Sequence, residues 1–315
     1  MATGLITDPL YSQHQTGEDH PETPQRLVAI HNHLLRTGLL ADLTIAPQTP
    51  RHDLAGVITA IHTPAYYNRL KSRVPTAGLA YLDADTPISP DSVRAAERAV
   101  SGVMTAIDGV MTGRWNNAFC ALRPPGHHAL ADRAMGFCLL NNVAIGARYL
   151  QTQYHLSRVL IVDWDVHHGN GTQALFYNDP TVFYFSTHQY PFYPGTGAAS
   201  ERGAGAGDGT TLNCPLQAGA GDRAVLQSFE SALMPVMAEF RPEFILISAG
   251  FDAHRDDPLA ELSVTEEGFA RMTEVAQSLA DTYCSGRVVS CLEGGYHLGA
   301  LARSVESHLH GLLAA

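Results

Sequence analysis

Residues 159–169 carry the sequence VLIVDWDVHHG, in which an aliphatic run passes into two aspartates and two histidines. A short apolar run rich in β-branched residues predicts a buried strand over 159–163. Alternate side chains of an extended segment point to the same side, so we expect Asp163, Asp165 and His167 to share one side. This stretch therefore predicts a buried strand that brings polar groups to its carboxyl end.

The rest of the chain repeats the alternation of short buried strands with longer helical segments. Strands are predicted at 117–122, 182–186, 244–248 and 288–292, and helices at 89–111, 141–154, 222–239, 265–282 and 298–313. Pro90 is expected to be the first residue of its helix. Glycine- and proline-rich loops are predicted at 71–90, 122–140, 187–211 and 252–262. Strands that alternate with helices favour an α/β fold with a mostly parallel sheet.

Composition and charge narrow the class of protein. The chain has 315 residues, 45% hydrophobic and 16% charged, which predicts one globular domain over 1–315. A formal net charge of −11 argues against direct nucleic-acid binding. Five cysteines without a C-x-x-C spacing predict reduced, buried thiols. Without a recognisable signal peptide or membrane helix, we expect a cytoplasmic protein that binds no membrane; a homo-oligomer is left open.

A candidate metal site combines two predicted strand ends. Asp252 lies in SAGFD, directly after the predicted strand at 244–248. The carboxyl ends of parallel strands meet at one edge of a sheet, so we expect Asp252 to join Asp165 and His167. Two carboxylates and one imidazole leave a position for water, which is typical of a catalytic zinc ion. The same ligands accept Fe(II), Co(II) or Mn(II), so the ligand set alone does not choose the metal.

A tandem histidine and a tyrosine follow two further strands. His127 and His128 come after RPPG, and Tyr296 comes after LEGG. Adjacent imidazoles cannot both be protonated at low cost, so the pKa values of the two histidines are expected to separate. The neutral ring can act as general base and acid. The phenol of Tyr296 is expected to donate a hydrogen bond to a developing oxyanion.

Five motifs, taken in order, resemble those of the zinc-dependent histone deacetylase family. They are RPPGHH at 123–128, DWDVHHGNGTQ at 163–173, PGTG at 194–197, SAGFDAHRDDPL at 248–259 and LEGGY at 292–296. The resemblance extends over nearly the whole chain and looks closest to the class II-like branch, which includes bacterial deacetylase-like amidohydrolases. It implies an arginase-like α/β domain with an eight-stranded, mostly parallel sheet flanked by helices, and hydrolysis of N-acyl amides such as acetyl-lysine.

The resemblance also implies roles for the matching residues. Asp165, His167 and Asp252 match the zinc ligands, His128 the general base and acid, His127 its electrostatic neighbour, and Tyr296 the oxyanion donor. Asp163 matches the partner of His127, and Asn170 matches the partner of His128, where class I relatives have aspartate. A K⁺ or Na⁺ ion is implied at Asp163, Asp165, His167, Ser186 and Thr187. A second cation site is implied near Phe176, Asp179 and Val182.

The implied substrate is an acyl-lysine or another small N-acyl amine in a narrow apolar tunnel. The matching wall residues are Gly136, Phe137 and Tyr193, with Leu259 at the rim. Many relatives have phenylalanine in place of Tyr193, which predicts a more polar tunnel. Leu259 stands where polyamine-selective relatives have an acidic residue, which argues against cationic polyamines. His297 departs from the asparagine that often follows the tyrosine.

Three alternatives stay open at this point. The first is an acetylpolyamine amidohydrolase on the same scaffold. The second is a non-catalytic module that binds acyl-lysine in an inert pocket, which the intact set of metal, histidine and tyrosine residues disfavours. The third is a manganese ureohydrolase of related fold, which is disfavoured because two-metal chemistry requires a cluster richer in carboxylates.

Overall fold

Eight strands form one parallel sheet in the part of the chain that the structure describes. This computed structural model describes residues 2–46, 51 and 54–314. The strands of the described residues, including two outside this sheet, are β1 (Thr3–Ile6), β2 (Leu43–Ile45), β3 (Ala80–Asp83), β4 (Thr86–Ile88), β5 (Asn117–Cys120), β6 (Val159–Asp163), β7 (Val182–Gln189), β8 (Thr211–Leu216), β9 (Phe244–Ala249) and β10 (Val288–Leu292). The sheet order is β2-β1-β5-β10-β9-β6-β7-β8, and each pairing is parallel. Strands β3 and β4 form a separate antiparallel hairpin.

Helices flank this sheet. They are α1 (Gln25–Thr37), α2 (Leu54–Thr59), α3 (Pro64–Ser72), α4 (Ser92–Met111), α5 (Asn142–Tyr154), α6 (Asn170–Phe176), α7 (Asp222–Ser228), α8 (Met234–Phe240), α9 (Glu266–Tyr283) and α10 (Leu298–Leu313). A π-helical turn over Phe229–Leu233 joins α7 to α8. Helices α3, α5, α9 and α10 begin after a side chain that accepts a backbone N–H bond. These caps are Thr63, Asn141, Thr265 and His297, so His297 has a structural role as a helix cap.

The core lies between the sheet and the helices on it. Helix α4 packs against α5 and against β1, β5 and β10, while α10 packs between α1 and α9. All residues of β5, β6, β7, β9 and β10 are buried, as expected for a parallel sheet covered on both faces. The predicted α/β fold with an eight-stranded sheet flanked by helices is therefore confirmed. No helix within the described ranges combines the length and apolar character needed to cross a membrane.

Several predicted boundaries are wrong, each for a local reason. Strand β5 ends at Cys120, before the predicted 122, because the Leu122 N–H turns back to the Cys120 carbonyl. Strand β7 continues past the predicted 186 to Gln189, because it pairs with β8 over that length. Helix α4 begins at Ser92, so Pro90 precedes the helix instead of opening it.

Strands β1, β2 and β8 have no clear signal in the sequence pattern. Strand β1 contains Gly4, where a Cβ atom would lie only 2.7 Å from the ring of Trp115. Strand β2 has three residues, and β8 contains Pro215, which cannot donate to the ladder and is tolerated at the sheet edge. The β3–β4 hairpin lies within 71–90, where the pattern predicted a loop.

Strand β10 comes last along the chain but pairs with both β5 and β9 in the middle of the sheet. Strand β9 in turn pairs with β6. The carboxyl ends of these four neighbouring strands therefore lie side by side, at the edge where open parallel sheets bind their ligands.

Candidate active site

A cavity of about 200 Å³ opens at this edge of the sheet. The predicted residues that line it are His127, His128, Gly136, Phe137, His167, Tyr193, Leu259 and Tyr296. The lining residues that sequence reasoning did not single out include Asp85, Pro125, Cys138 and Phe192. The structure thus brings the predicted histidines, the tyrosine, the tunnel residues and one predicted metal ligand to a single space.

Asp165, His167 and Asp252 form a compact group beside this cavity. One potential ligand atom from each residue lies within 4.8 Å of the other two. The Nδ1 atom of His167 is 3.1 Å from Asp165 Oδ1 and 3.2 Å from Asp252 Oδ2. Both carboxylates are 1% exposed, and His167 is 9% exposed. A buried Asp-His-Asp group of this kind could hold a metal ion.

The surroundings of this group fit a small cation. Burial and the charge of Asp165 raise the pKa of Asp252 to about 7, because two carboxylates lie close together away from water. Two glycines leave the carboxylates their space. A Cβ atom on Gly250 would lie 2.2 Å from Asp165 Oδ2, and one on Gly294 would lie 2.0 Å from Asp252 Oδ2. The two carboxylates and the imidazole, with glycines next to the carboxylates, therefore suit a metal ion such as zinc.

Backbone amides from two strand ends, after β6 and after β10, orient the group. Val166 N–H donates to Asp252 Oδ1 over 2.9 Å, and Gly294 N–H donates to Asp165 Oδ2 over 2.8 Å. The His167 N–H also donates to Asp165, over 2.9 Å to Oδ1. The segments after β6, β9 and β10 are thus joined through the carboxylates, which fixes where the ligand atoms point.

Asp163 is not part of this group, although its carboxylate and that of Asp165 both face the ring of His127. Asp163 Oδ2 lies 3.1 Å from His127 Nδ1 and accepts a 3.0 Å bond from the Tyr184 hydroxyl. The structure therefore places Asp163 behind His127.

The two rings of the tandem histidine lie in different electrostatic surroundings. Burial opposes protonation of His127, yet the carboxylates of Asp165 and Asp163 raise its pKa to about 10. Burial and the charges of His127 and His167 lower the pKa of His128 well below its usual value. The Nδ1 atom of His128 lies 2.7 Å from Asn170 Oδ1. One ring thus favours the protonated form and the other the neutral form.

Tyr296 lines the cavity beside Phe137, with the ring centroids 5.9 Å apart. Its backbone N–H donates to Asp257 Oδ2 over 2.7 Å. Burial and the negative charges of Asp252 and Asp165 raise the pKa of the Tyr296 phenol well above its usual value. The phenol therefore keeps its proton and is available as a hydrogen-bond donor.

Aromatic rings form much of the cavity wall. Phe192, which the sequence did not single out, stacks on His167 with centroids 5.5 Å apart and an interplanar angle of 21°. Tyr193 is 38% exposed and approaches His128 edge-on at 5.3 Å. Gly136 has φ 55°, and a Cβ atom on it would lie 2.4 Å from the His128 ring, so only glycine suits this position.

The residues predicted for the first monovalent cation site lie at the carboxyl end of β6 and in the neighbouring part of β7. Ser186 lies opposite Asp163 in the β6–β7 register, and Thr187 follows it in β7. Asp179, predicted for the second site, accepts a 2.5 Å bond from Arg148 Nη2 and further bonds from a neighbouring threonine. Both cation sites stay predictions.

A buried ion network behind the Tyr296 segment had no signal in the sequence. The Glu22 carboxylate contacts Arg123 Nη2 at 2.7 Å and Arg26 Nη1 at 3.1 Å. Burial opposes ionisation, but the charge of Arg123 holds the pKa of Glu22 at about 2. Arg26 Nε also donates to the Gly295 carbonyl over 2.7 Å. The network therefore ties the N-terminal segment to the loop that carries Tyr296.

Glu293 is another buried charged residue to which the sequence analysis gave no role, although it lies inside the LEGGY motif. It is fully buried, and burial raises its pKa to about 7. Its carboxylate accepts hydrogen bonds from the backbone N–H groups of Gly126 and His127. The segment that carries Tyr296 is thereby joined to the segment that carries the tandem histidine.

A parallel sheet with carboxylates, imidazoles and a phenol gathered beside one cavity is the arrangement of an α/β enzyme. The chain belongs to the histone deacetylase family, because the family model described as "Histone deacetylase domain" matches residues 20–312. It is accordingly a hydrolase of the deacetylase type.

Individual relatives agree with this assignment. A probable deacetylase of Archaeoglobus fulgidus is 40% identical over 302 residues, which cover 96% of this chain and 83% of the relative. Histone deacetylase 14, chloroplastic, of Arabidopsis thaliana is 39% identical over a match that covers 94% of this chain and 73% of the relative. The crystal structure of the HDA15 HD domain superimposes with a TM-score of 0.93 at 36% identity, over 99% of this chain and 90% of that one.

Proposed function

We propose that the chain is a zinc-dependent amidohydrolase that removes an acetyl group from acetyl-lysine-type amines. One observation carries the proposal: the buried Asp165, His167 and Asp252 group lies beside a cavity that also receives His128 and Tyr296. Zinc held by these three side chains would polarise the acyl carbonyl and the attacking water. The cavity of about 200 Å³ has room for a small acyl chain.

His128 is proposed as the general base and acid. Its Nδ1–H donates to Asn170 Oδ1, which leaves the lone pair of Nε2 for proton transfer. Its lowered pKa keeps the ring neutral, so Nε2 can take a proton from the attacking water and give it to the leaving amine. His127, held by Asp163, supplies positive charge beside the reacting atoms.

Tyr296 is proposed as the oxyanion donor. Its phenol stays protonated and can donate a hydrogen bond to the carbonyl oxygen as negative charge develops there. The rings of Phe137, Phe192 and Tyr193 exclude water from the acyl chain, which strengthens the electrostatic contacts inside the cavity. The apolar rim residue Leu259 favours an acyl-lysine side chain over a polyamine.

Acetylpolyamines are the second candidate substrates, because the carboxylate of Asp85 also lines the cavity and can attract a cationic amine. A panel of acetyl-lysine peptides, acetylputrescine and acetylspermidine separates the two. The assay uses purified protein of measured zinc content. We expect the highest kcat/KM on acetyl-lysine, and loss of turnover in His128→Ala. A zinc-loaded protein that leaves every acyl amide intact would contradict the proposal and support a binding module.

A further inference from the structure

Glu293 is held in one place by contacts from several directions. It directly follows β10, and its backbone N–H donates to the Ala249 carbonyl at the end of β9 over 3.1 Å. Its own carbonyl accepts a 2.5 Å bond from Arg26 Nη2. The Ser248 hydroxyl lies 3.4 Å from Oε1. The carboxylate therefore extends from a fixed point of the sheet.

The other carboxylate oxygen of Glu293 holds the loop with the tandem histidine. Oε2 accepts a 2.6 Å bond from Gly126 N–H and a 3.1 Å bond from His127 N–H. Both amide groups need an acceptor because they are buried. The loop has no free space behind it, since a Cβ atom on Gly126 would lie 2.6 Å from the backbone nitrogen of Asn142.

We propose that Glu293 is a positioning residue that sets the tandem histidine relative to Tyr296. This inference rests on the proposed function. Tyr296 stands three residues further along the chain, and the backbone N–H of Gly294, the residue directly after Glu293, donates to Asp165. The Glu293 side chain thus links the segment of the tandem histidine to the segment that carries Tyr296. Gly294, in the same segment, in turn holds one proposed metal ligand, Asp165. Proton transfer depends steeply on such distances, so loss of this link should slow the chemical step.

The geometry separates a positioning role from a role of negative charge. One oxygen accepts both N–H bonds, and the other faces only a hydroxyl, which can also accept a bond. In Glu293→Gln the amide oxygen can keep both N–H bonds while its NH₂ group donates to Ser248. Glu293→Asp keeps the charge but shortens the side chain by one methylene, so its oxygen cannot reach the loop in the same way.

The experiment compares these two variants in zinc-loaded protein. We expect Glu293→Asp to lower kcat by roughly 10²-fold, with KM and zinc content close to wild type. Glu293→Gln should keep kcat within a few-fold of wild type. The matched control is Ser290→Ala, which removes another buried hydrogen bond of β10, to His308. It should lower the unfolding temperature without lowering kcat.

Amide hydrogen exchange gives a readout that does not need turnover. Peptides that contain Gly126 and His127 should exchange faster in Glu293→Asp than in Glu293→Gln or the wild type. The inference is overturned if Glu293→Asp keeps the wild-type kcat and exchange, or if Glu293→Gln loses as much of both. Absence of turnover in the wild-type protein would contradict the proposed function instead, and the exchange data would still test the role of Glu293.

Discussion

The Nδ1 atom of His128 lies 2.7 Å from the Oδ1 atom of Asn170. This bond orients the imidazole and fixes the proton on Nδ1, while the neutral amide adds no charge beside the ring. His127 instead faces the carboxylate of Asp163, and its pKa is raised to about 10. Two neighbouring histidines thus obtain opposite protonation states from two different partners.

Asn170→Ala should lower kcat by roughly 10- to 10²-fold, because the ring of His128 loses the acceptor that orients it. KM should change little, since Asn170 does not line the cavity. Steady-state kinetics on an acetyl-lysine peptide measure the effect. The control is Asn213→Ala, which removes a buried amide from β8 that contacts Gln173. An unchanged kcat in Asn170→Ala would contradict the role given to this pair.

Tyr296→Phe should lower kcat by about 10²- to 10³-fold, the cost of removing one oxyanion donor. The ring and its packing on Phe137 remain, so zinc content and stability should match those of the wild type. Kinetics together with metal analysis measure both properties. Full activity in this variant would refute the oxyanion assignment.

Asp252→Asn should weaken zinc binding by at least about 10²-fold, because one of the three proposed ligands loses its charge. Metal analysis after dialysis and the rise in unfolding temperature on zinc addition measure this change. Asp108→Asn is the matched control. Its carboxylate binds Arg51, Tyr149 and Tyr154 away from the cavity. Equal zinc content in the two variants would contradict the proposed metal site.

Leu259→Glu should shift specificity towards acetylpolyamines, because a carboxylate would join Asp85 at the cavity. We expect the ratio of kcat/KM for acetylspermidine to that for acetyl-lysine to rise roughly 10-fold, which one favourable ion contact can supply. Leu259→Gln has a similar shape without the charge and should leave the ratio near the wild-type value. The two variants would behave alike if charge at this position had no influence.

His308 should make the stability of the protein depend on pH. The ring is fully buried between the hydroxyls of Thr273 and Ser290, and burial lowers its pKa to about 3. Below its unfolded pKa of about 6.5 the unfolded chain binds a proton that the folded chain refuses until pH approaches 3. Its contribution to stability is therefore complete above about pH 6.5 and falls by roughly 1 kcal/mol per pH unit below it.

Urea unfolding at several pH values between about 5 and 7 measures this dependence. His308→Gln removes the titrating group, so the free energy of unfolding should fall less steeply with decreasing pH than in the wild type. Equal slopes in the two proteins would show that His308 does not contribute to the pH dependence.

The strands that are buried on both faces can be predicted from the sequence, because each is a continuous apolar run. Such a run is visible locally, without knowledge of the neighbouring strands. Strand β6 agrees with its prediction at both ends. Strand β1 escapes prediction because Gly4 replaces an apolar side chain where Trp115 packs. That reason lies in residues far away along the chain, which a local pattern does not reveal.

The same limit applies to the site. Residues a few positions after a strand end, such as Asp165 and Asp252, can be predicted to converge because parallel strands share one edge. Glu293 also follows a strand directly, but its bond to the backbone of Gly126 joins positions 167 apart, and no local pattern predicts that contact. Arg26 and Gly295 are 269 positions apart, and no local pattern connects them.

The central place of β10 has a consequence for biosynthesis. While the ribosome still holds residues 288–292, β2, β1 and β5 can form one half-sheet and β9, β6, β7 and β8 another, but no described strand yet pairs with both. The two halves must wait for the final strand with unpaired edges exposed, a state that favours aggregation. A premature stop before this strand would therefore leave two fragments tethered by one polypeptide rather than a slightly shortened enzyme.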